Sequence, residues 1–94
     1  MIVFSPDALL DIERVREFLH INNPGAAKRA MRVIFDALEK MQEFPDLGRP
    51  TEDAEIRQIV VLFGSSGYIV RYKLLHEQGA LLVTRIWHSR EARK

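Results

Sequence analysis

Three runs rich in β-branched and aromatic residues constrain the fold most: Ile56 to Phe63, Tyr68 to Leu75 and Ala80 to His88. Only Gly64-Ser65-Ser66-Gly67 and a turn at Glu77-Gln78-Gly79 separate them. Parallel neighbours need a crossover of about a dozen residues or more, whereas turns this short join antiparallel strands. The spacing therefore predicts an antiparallel meander. Side chains alternate across a strand, which assigns faces. Tyr68, Val70, Tyr72 and Leu74 share one side of the middle strand, and Ile69, Arg71, Lys73 and Leu75 the other. In the last strand, strict alternation groups Thr84, Ile86 and His88 against Val83, Arg85 and Trp87. One face is left to pack and the other collects Arg and Lys. Whether Arg57 joins Arg71 and Arg85 depends on a register that the sequence does not specify.

A sheet with one apolar face needs a cover, and the first half of the chain supplies it. Ile2, Val3 and Phe4 form a short β-type run. Ser5-Pro6-Asp7 then marks a helix start: a hydroxyl to cap, a proline suited to the first position, and an acid at the positive helix end. Ala8, Ile12, Val15 and Leu19 make an apolar stripe, with Asp11, Glu13, Arg14, Arg16 and Glu17 assigned to the opposite, solvent side. The break Asn22-Asn23-Pro24-Gly25 ends this helix near Ile21, and Asn23 caps a second one with Pro24 at its first position. Ala27, Ala30, Ile34, Leu38 and Met41 form its stripe, and Pro45 ends it. So short a link makes the helices an antiparallel hairpin. The predicted fold is α+β, in the order β-α-α-β-β-β, with the helical hairpin packed on a small antiparallel sheet.

At 94 residues the chain is expected to form one domain over its whole length, 1–94. Without cysteine it has no disulfide framework and no thiolate nucleophile or metal ligand. His20, His76 and His88 are too scattered to suggest a metal site, and no cofactor motif is present. The N-terminus lacks the basic and apolar regions of a signal peptide, and no apolar run approaches the ~20 residues that span a bilayer. A cytoplasmic protein without membrane attachment is expected. Residues 1–53 carry seven Lys/Arg and ten Asp/Glu, whereas residues 54–94 carry seven and three. The strand half is the basic half, which suggests an acidic or polyanionic partner.

Five segments in order resemble the toxins of the ParE/RelE superfamily, found in type II toxin–antitoxin (plasmid stabilisation) modules. They are S-P-D-A-L-L-D-I from Ser5, N-N-P-G-A-A-K-R from Asn22, F-P-D-L-G-R-P from Phe44, G-Y-I-V-R-Y from Gly67 and R-I-W-H-S-R-E from Arg85. The resemblance covers nearly the whole chain, agrees with the fold read from periodicity, and favours the ParE branch. It implies a growth-arresting toxin neutralised by a cognate antitoxin, whose disordered acidic segment folds on binding.

The superfamily implies two activities. ParE-like members inhibit DNA gyrase by binding it; RelE-like members cleave mRNA on the ribosome. Cleavage by 2′-hydroxyl attack needs a base, an acid and cations on the phosphate. The RelE-type pattern draws these from lysines in and before the sheet and a tyrosine near the C-terminus, yet this chain has no Lys between Lys40 and Lys73 and no Tyr after Tyr72. A partial ribonuclease set remains: His88 as acid, Glu55 or Glu52 as base, and Arg71 on the phosphate. The gyrase reading instead needs a binding surface, for which Arg57, Arg71, Arg85, His88 and Arg90 are the candidates. Trp87, taken as exposed, would be their aromatic anchor, with a core position as the alternative. A third possibility is a toxin of decayed activity that only binds its antitoxin.

Overall fold

The computed structural model describes residues 1–91. Strand β1 (Ile2–Phe4) leads into helix α1 (Pro6–Asn22), and α2 (Pro24–Glu43) follows. Ser5 caps α1 by accepting the Ala8 N–H at 3.1 Å. A single residue, Asn23, joins the helices, shorter than the four-residue break the sequence predicts. It closes α1 by donating its N–H to Leu19 O and opens α2 by accepting the Ala26 N–H on Oδ1. Pro24 and Gly25 therefore lie inside the first turn of α2, where backbone N–H groups need no helical partner.

A 3-10 turn at Pro45–Leu47 leads to β2 (Arg49–Pro50), a two-residue strand absent from the predicted order. Strands β3 (Arg57–Phe63), β4 (Ser66–Leu75) and β5 (Ala80–His88) form the antiparallel meander. Gly64 and Gly79, with φ of 60° and 61°, occupy the left-handed region at the two turns, where a side chain is disfavoured. The sheet order is β1-β5-β4-β3-β2. The sheet is mixed rather than antiparallel, because β1 lies parallel to β5, with Ile2 opposite Leu81 and Phe4 opposite Val83. The two helices and the meander separate β1 from β5 in the chain, so no short turn forces them antiparallel.

One face of the sheet packs on the helices. Val61, Tyr68, Val70, Tyr72, Leu81, Val83 and Ile86 are buried there with Ala8 and Val15 of α1 and Ile34, Leu38 and Met41 of α2. Ala27 and Ala30 are buried as well, small enough for close helix contact. Each large apolar side chain contributes roughly 1.5–3 kcal/mol by leaving water. Strict alternation fails in β5. Arg71 pairs with Arg85 and the next residue, Tyr72, pairs with Val83, so Thr84 is the extra residue of a bulge. Val83 and Ile86, three apart, thereby both reach the core, against the grouping that strict alternation gives.

The loop before β2 is pinned from below. Tyr72 Oη donates to Pro45 O at 2.7 Å and accepts the Gly48 N–H at 2.9 Å. A Cβ added at Gly48 would overlap the Tyr72 ring and hydroxyl. We predict that Gly48→Ala lowers stability by about 1–3 kcal/mol through this clash. Tyr72→Phe should cost about the same by leaving the Gly48 N–H without its partner. Urea unfolding of both variants checks this, and unchanged midpoints would show that the loop is not braced.

Candidate functional site

Beyond Val83 no residue of β1 remains to pair with β5, and α1 takes over with side chains. Ser5 Oγ donates to Thr84 O at 3.0 Å. Asp11 Oδ2 accepts the Ile86 N–H at 2.8 Å, and Arg14 Nη2 donates to Ile86 O at 3.1 Å. Asp11 also binds Arg85 through Nε at 2.8 Å and Arg14 through Nη1 at 2.7 Å. Arg14 continues to Glu91, donating from Nε and Nη2 at 3.1 and 3.0 Å. Glu91 in turn accepts the His88 N–H at 3.2 Å. Asp11, assigned to the solvent side by its place off the apolar stripe, is only 2% exposed. Burial pushes its carboxyl up, but bonds from Arg85, Arg14 and the Ile86 N–H outweigh this and hold it below the ordinary value of 3.8.

The proposed site residues separate into several environments. Arg57 faces the helices opposite Tyr72 and donates to Gly48 O at 2.6 Å, beside Asp46. Arg85 is committed to Asp11. His88 pairs with Tyr68 and meets its ring edge-on at 5.3 Å, while its Nδ1 accepts the exposed Arg90's N–H at 3.0 Å. Trp87 is not exposed as expected. It is 8% accessible, beside Ile69 on the sheet face away from the helices, with the Arg71 guanidinium 5.4 Å from its ring centroid. Arg71 is oriented by Gln58 Oε1 at 3.0 Å and Glu52 Oε1 at 3.3 Å.

Two polar clefts flank the start of β3. One, of about 260 Å³, is lined by Arg49, Pro50, Thr51, Glu52, Gln58 and Arg71. The other, of about 270 Å³, includes Glu55, Arg57, Tyr72, Lys73 and His76. Glu52 is thus the acid beside Arg71, whereas Glu55 belongs to the other cleft and His88 to neither. Burial raises the Tyr72 phenol, though its bond from the Gly48 N–H opposes this. Among the described residues no three His, Asp or Glu side chains gather to hold a metal, and no helix is long and apolar enough to cross a membrane.

The family model for the ParE toxin of type II toxin–antitoxin systems, parDE, matches residues 2–93. The chain belongs to the ParE toxin family. Toxin RelE1 of Caulobacter vibrioides is 36% identical over 92 residues, spanning 98% of this chain and 96% of that protein. Toxin RelE3 of the same organism is 34% identical, spanning 95% and 94%. Among solved structures, the chromosomal ParDE toxin–antitoxin system from P. aeruginosa superposes with a TM-score of 0.72 at 16% identity, covering 93% of this chain and 92% of that one. The intact E. coli RelBE toxin–antitoxin complex gives 0.66 at 16% identity, covering 100% and 98%. At such identities these two establish the shared fold.

In this ParE-family chain the best-organised polar cluster therefore centres on Asp11, which alternation and helical periodicity both miss. One signal was available: Asp11 lies next to the apolar Ile12 and one turn before Val15, at the border of the stripe. We predict that Asp11→Ala costs about 2–4 kcal/mol, because the Ile86 N–H loses its partner and two arginines lose a shared acceptor. Since the folded state depresses the Asp11 pKa, its contribution is full above the unfolded value near 4 and is lost as pH falls below it. Asp11→Asn should remove that part of the acid dependence. Unfolding free energies between about pH 2 and pH 6 test this, and parallel pH profiles for the two proteins would refute it.

Proposed function

We propose that this toxin arrests growth by binding DNA gyrase and that a cognate antitoxin with an acidic segment neutralises it. One observation carries the choice: His88, the acid of the candidate ribonuclease set, lies on the helix-facing side and in neither of the clefts that hold Arg71 and the two glutamates. His88 lies against Tyr68 on the helix-facing side, Arg71 over Trp87 on the opposite side, and Glu55 in a separate cleft. General acid–base catalysis needs its acid and base within hydrogen-bond reach of one reacting centre. Binding needs only a presented surface, and the open sheet face supplies one. The Arg71 guanidinium lies 5.4 Å from the Trp87 ring centroid, its side chain 14% exposed, with Ile69 alongside and exposed Val60 and Leu62 next to them. Arginine backed by an aromatic residue is a favoured hot-spot composition. Arg90, exposed beyond the end of β5, adds a second cation.

The ribonuclease alternative has one feature in its favour, the Glu52 carboxylate 3.3 Å from Arg71, beside the RelE names of the relatives. The test separates the two. Purified toxin should inhibit gyrase supercoiling or trap cleaved DNA, and expressing it without an antitoxin should induce the SOS response while mRNA stays intact. Arg71→Ala should weaken inhibition by about thirtyfold, near 2 kcal/mol, without unfolding the protein. Supercoiling unchanged by wild-type toxin, together with cut mRNA on translating ribosomes, would overturn the gyrase reading. Growth unaffected by the unpartnered toxin would leave only antitoxin binding.

A further inference from the structure

Strand β2 pairs only with Arg57 and Gln58, and among the described residues no strand pairs with Ile59–Phe63 on that side. In an antiparallel ladder successive residues turn their N–H and C=O to opposite edges, which tells which backbone groups are left over. The Thr51 N–H donates to Ile56 O at 3.1 Å, on the β2 side, and the pairing of β3 with β4 runs without a register shift. Even-numbered residues of β3 therefore point to the β2 side. Gln58 lies opposite Arg49, whereas the N–H and C=O of Val60 and of Leu62 meet no strand among the described residues. The same two residues are 58% and 74% exposed on the face away from the helices. The usual protections of an edge are a charge, a proline or a bulge, and Ile59-Val60-Val61-Leu62-Phe63 has none of them.

We propose that this edge is a twofold interface between two copies of the chain, with β3 antiparallel to its own copy and Val61 on the symmetry axis. The register follows from the unpaired groups. With Val61 opposite Val61 of the second copy, Val60 lies opposite the copy's Leu62, and Leu62 opposite the copy's Val60. Both are hydrogen-bonded pairs, each exchanging two N–H···O bonds, so every unpaired group of the two residues finds a partner. An axis through Val60 sets Leu62 against the copy's Gln58, which already lies against β2. An axis through Leu62 sets Val60 against the copy's Gly64, which has left the strand in a left-handed turn. The side chains agree on both faces. Away from the helices, Val60 and Leu62 of the two copies form one apolar cluster. On the helix side, Ile59, which packs against the core, lies opposite Phe63 of the copy. Cross-strand apolar pairs of this kind are what stabilise a sheet. Charge does not oppose the contact. Arg49, opposite Gln58, is six ladder positions from its counterpart, roughly 20 Å along the strand. That is well beyond the Debye length of about 8 Å at physiological ionic strength. A twofold contact is self-complementary and closes on itself, so pairing stops at two copies. Five residues a side make a small interface, in the range below about 1,200 Å² where association is weak and concentration-dependent.

Sedimentation velocity of the full-length protein, from low micromolar to near-millimolar concentration, tests this together with amide exchange followed by NMR. The sedimentation coefficient should rise from the monomer value to the dimer value and stop there. Over the same range the Val60 and Leu62 amides should exchange at least tenfold more slowly, while those of Ile59 and Val61, which face β4, change less. Two double variants test the register. Val60→Lys with Leu62→Lys sets like charges opposite each other in both pairs and should leave a monomer. Val60→Glu with Leu62→Lys sets each new carboxylate opposite the copy's new ammonium and should dimerise at least tenfold more tightly than the all-lysine variant. Both positions are exposed, and circular dichroism confirms that the variants fold; the wild-type exchange rates stand without them. A protein that stays monomeric at every concentration, or one that grows beyond two copies, would overturn the proposal. So would a mixed-charge variant no tighter than the all-lysine one, or a dimer whose Val60 and Leu62 amides exchange as fast as in the monomer.

Discussion

A single carboxylate stands where a strand is missing. β1 is three residues long and cannot follow β5 past Val83, so the Ile86 amide would face the inner side of α1 with no backbone partner. Asp11 supplies the acceptor and Arg14, one turn on, supplies the donor for the Ile86 carbonyl. The pair does for one residue what a neighbouring strand would do, and fixes α1 along the sheet edge. A buried carboxylate is costly unless it is paired and fully hydrogen-bonded. Here both oxygens are engaged, by two arginines and a backbone amide. The arginines keep side-chain exposures of 44% and 43%, so they are only partly desolvated. That asymmetry favours the network, because only the acid loses most of its hydration.

Much of the architecture was legible because its signals are local. The apolar stripes of both helices, the caps at Ser5 and Asn23, and the limits of β5 follow from spacing and from turn residues. What escaped was whatever depends on one element meeting another. The bulge at Thr84 leaves no mark in composition, yet it decides that Val83 and Ile86 both face the core. The parallel pairing of β1 and the two-residue β2 are too short to carry a periodicity. Asp11 looks like a solvent residue because its partners, Arg85 and Ile86, are more than 70 positions away. The resemblance to the toxin superfamily agreed with the fold already read from periodicity, its five motifs falling in order over nearly the whole chain.

The candidate site was less legible for the same physical reason. Arginine type and strand parity suggested one cationic face, but arginine also serves as a structural donor. Arg57 binds the Gly48 carbonyl and Arg85 binds Asp11, while Arg71 is held over Trp87. The aromatic expected to reach outward instead forms the floor beneath a cation. Of the residues considered for binding, Arg90 is exposed, whereas the Arg71 side chain is 14% exposed, less than that of Arg57 or Arg85.

The contrast between the two edges ties these points together. Capping β5 engages Ser5, Asp11, Arg14 and Glu91, four side chains drawn from both ends of the described chain. Among the described residues nothing comparable protects β3, although its exposed Val60 and Leu62 make it the more hazardous edge for self-association. Among the described residues, the fold seals the β5 edge with side chains and leaves the apolar β3 edge past Gln58 without a strand beside it. The Asp11 network ties the end of β5 to α1, and Glu91, held by Arg14, accepts the His88 N–H. Past Gln58, among the described residues, only β4 pairs with β3.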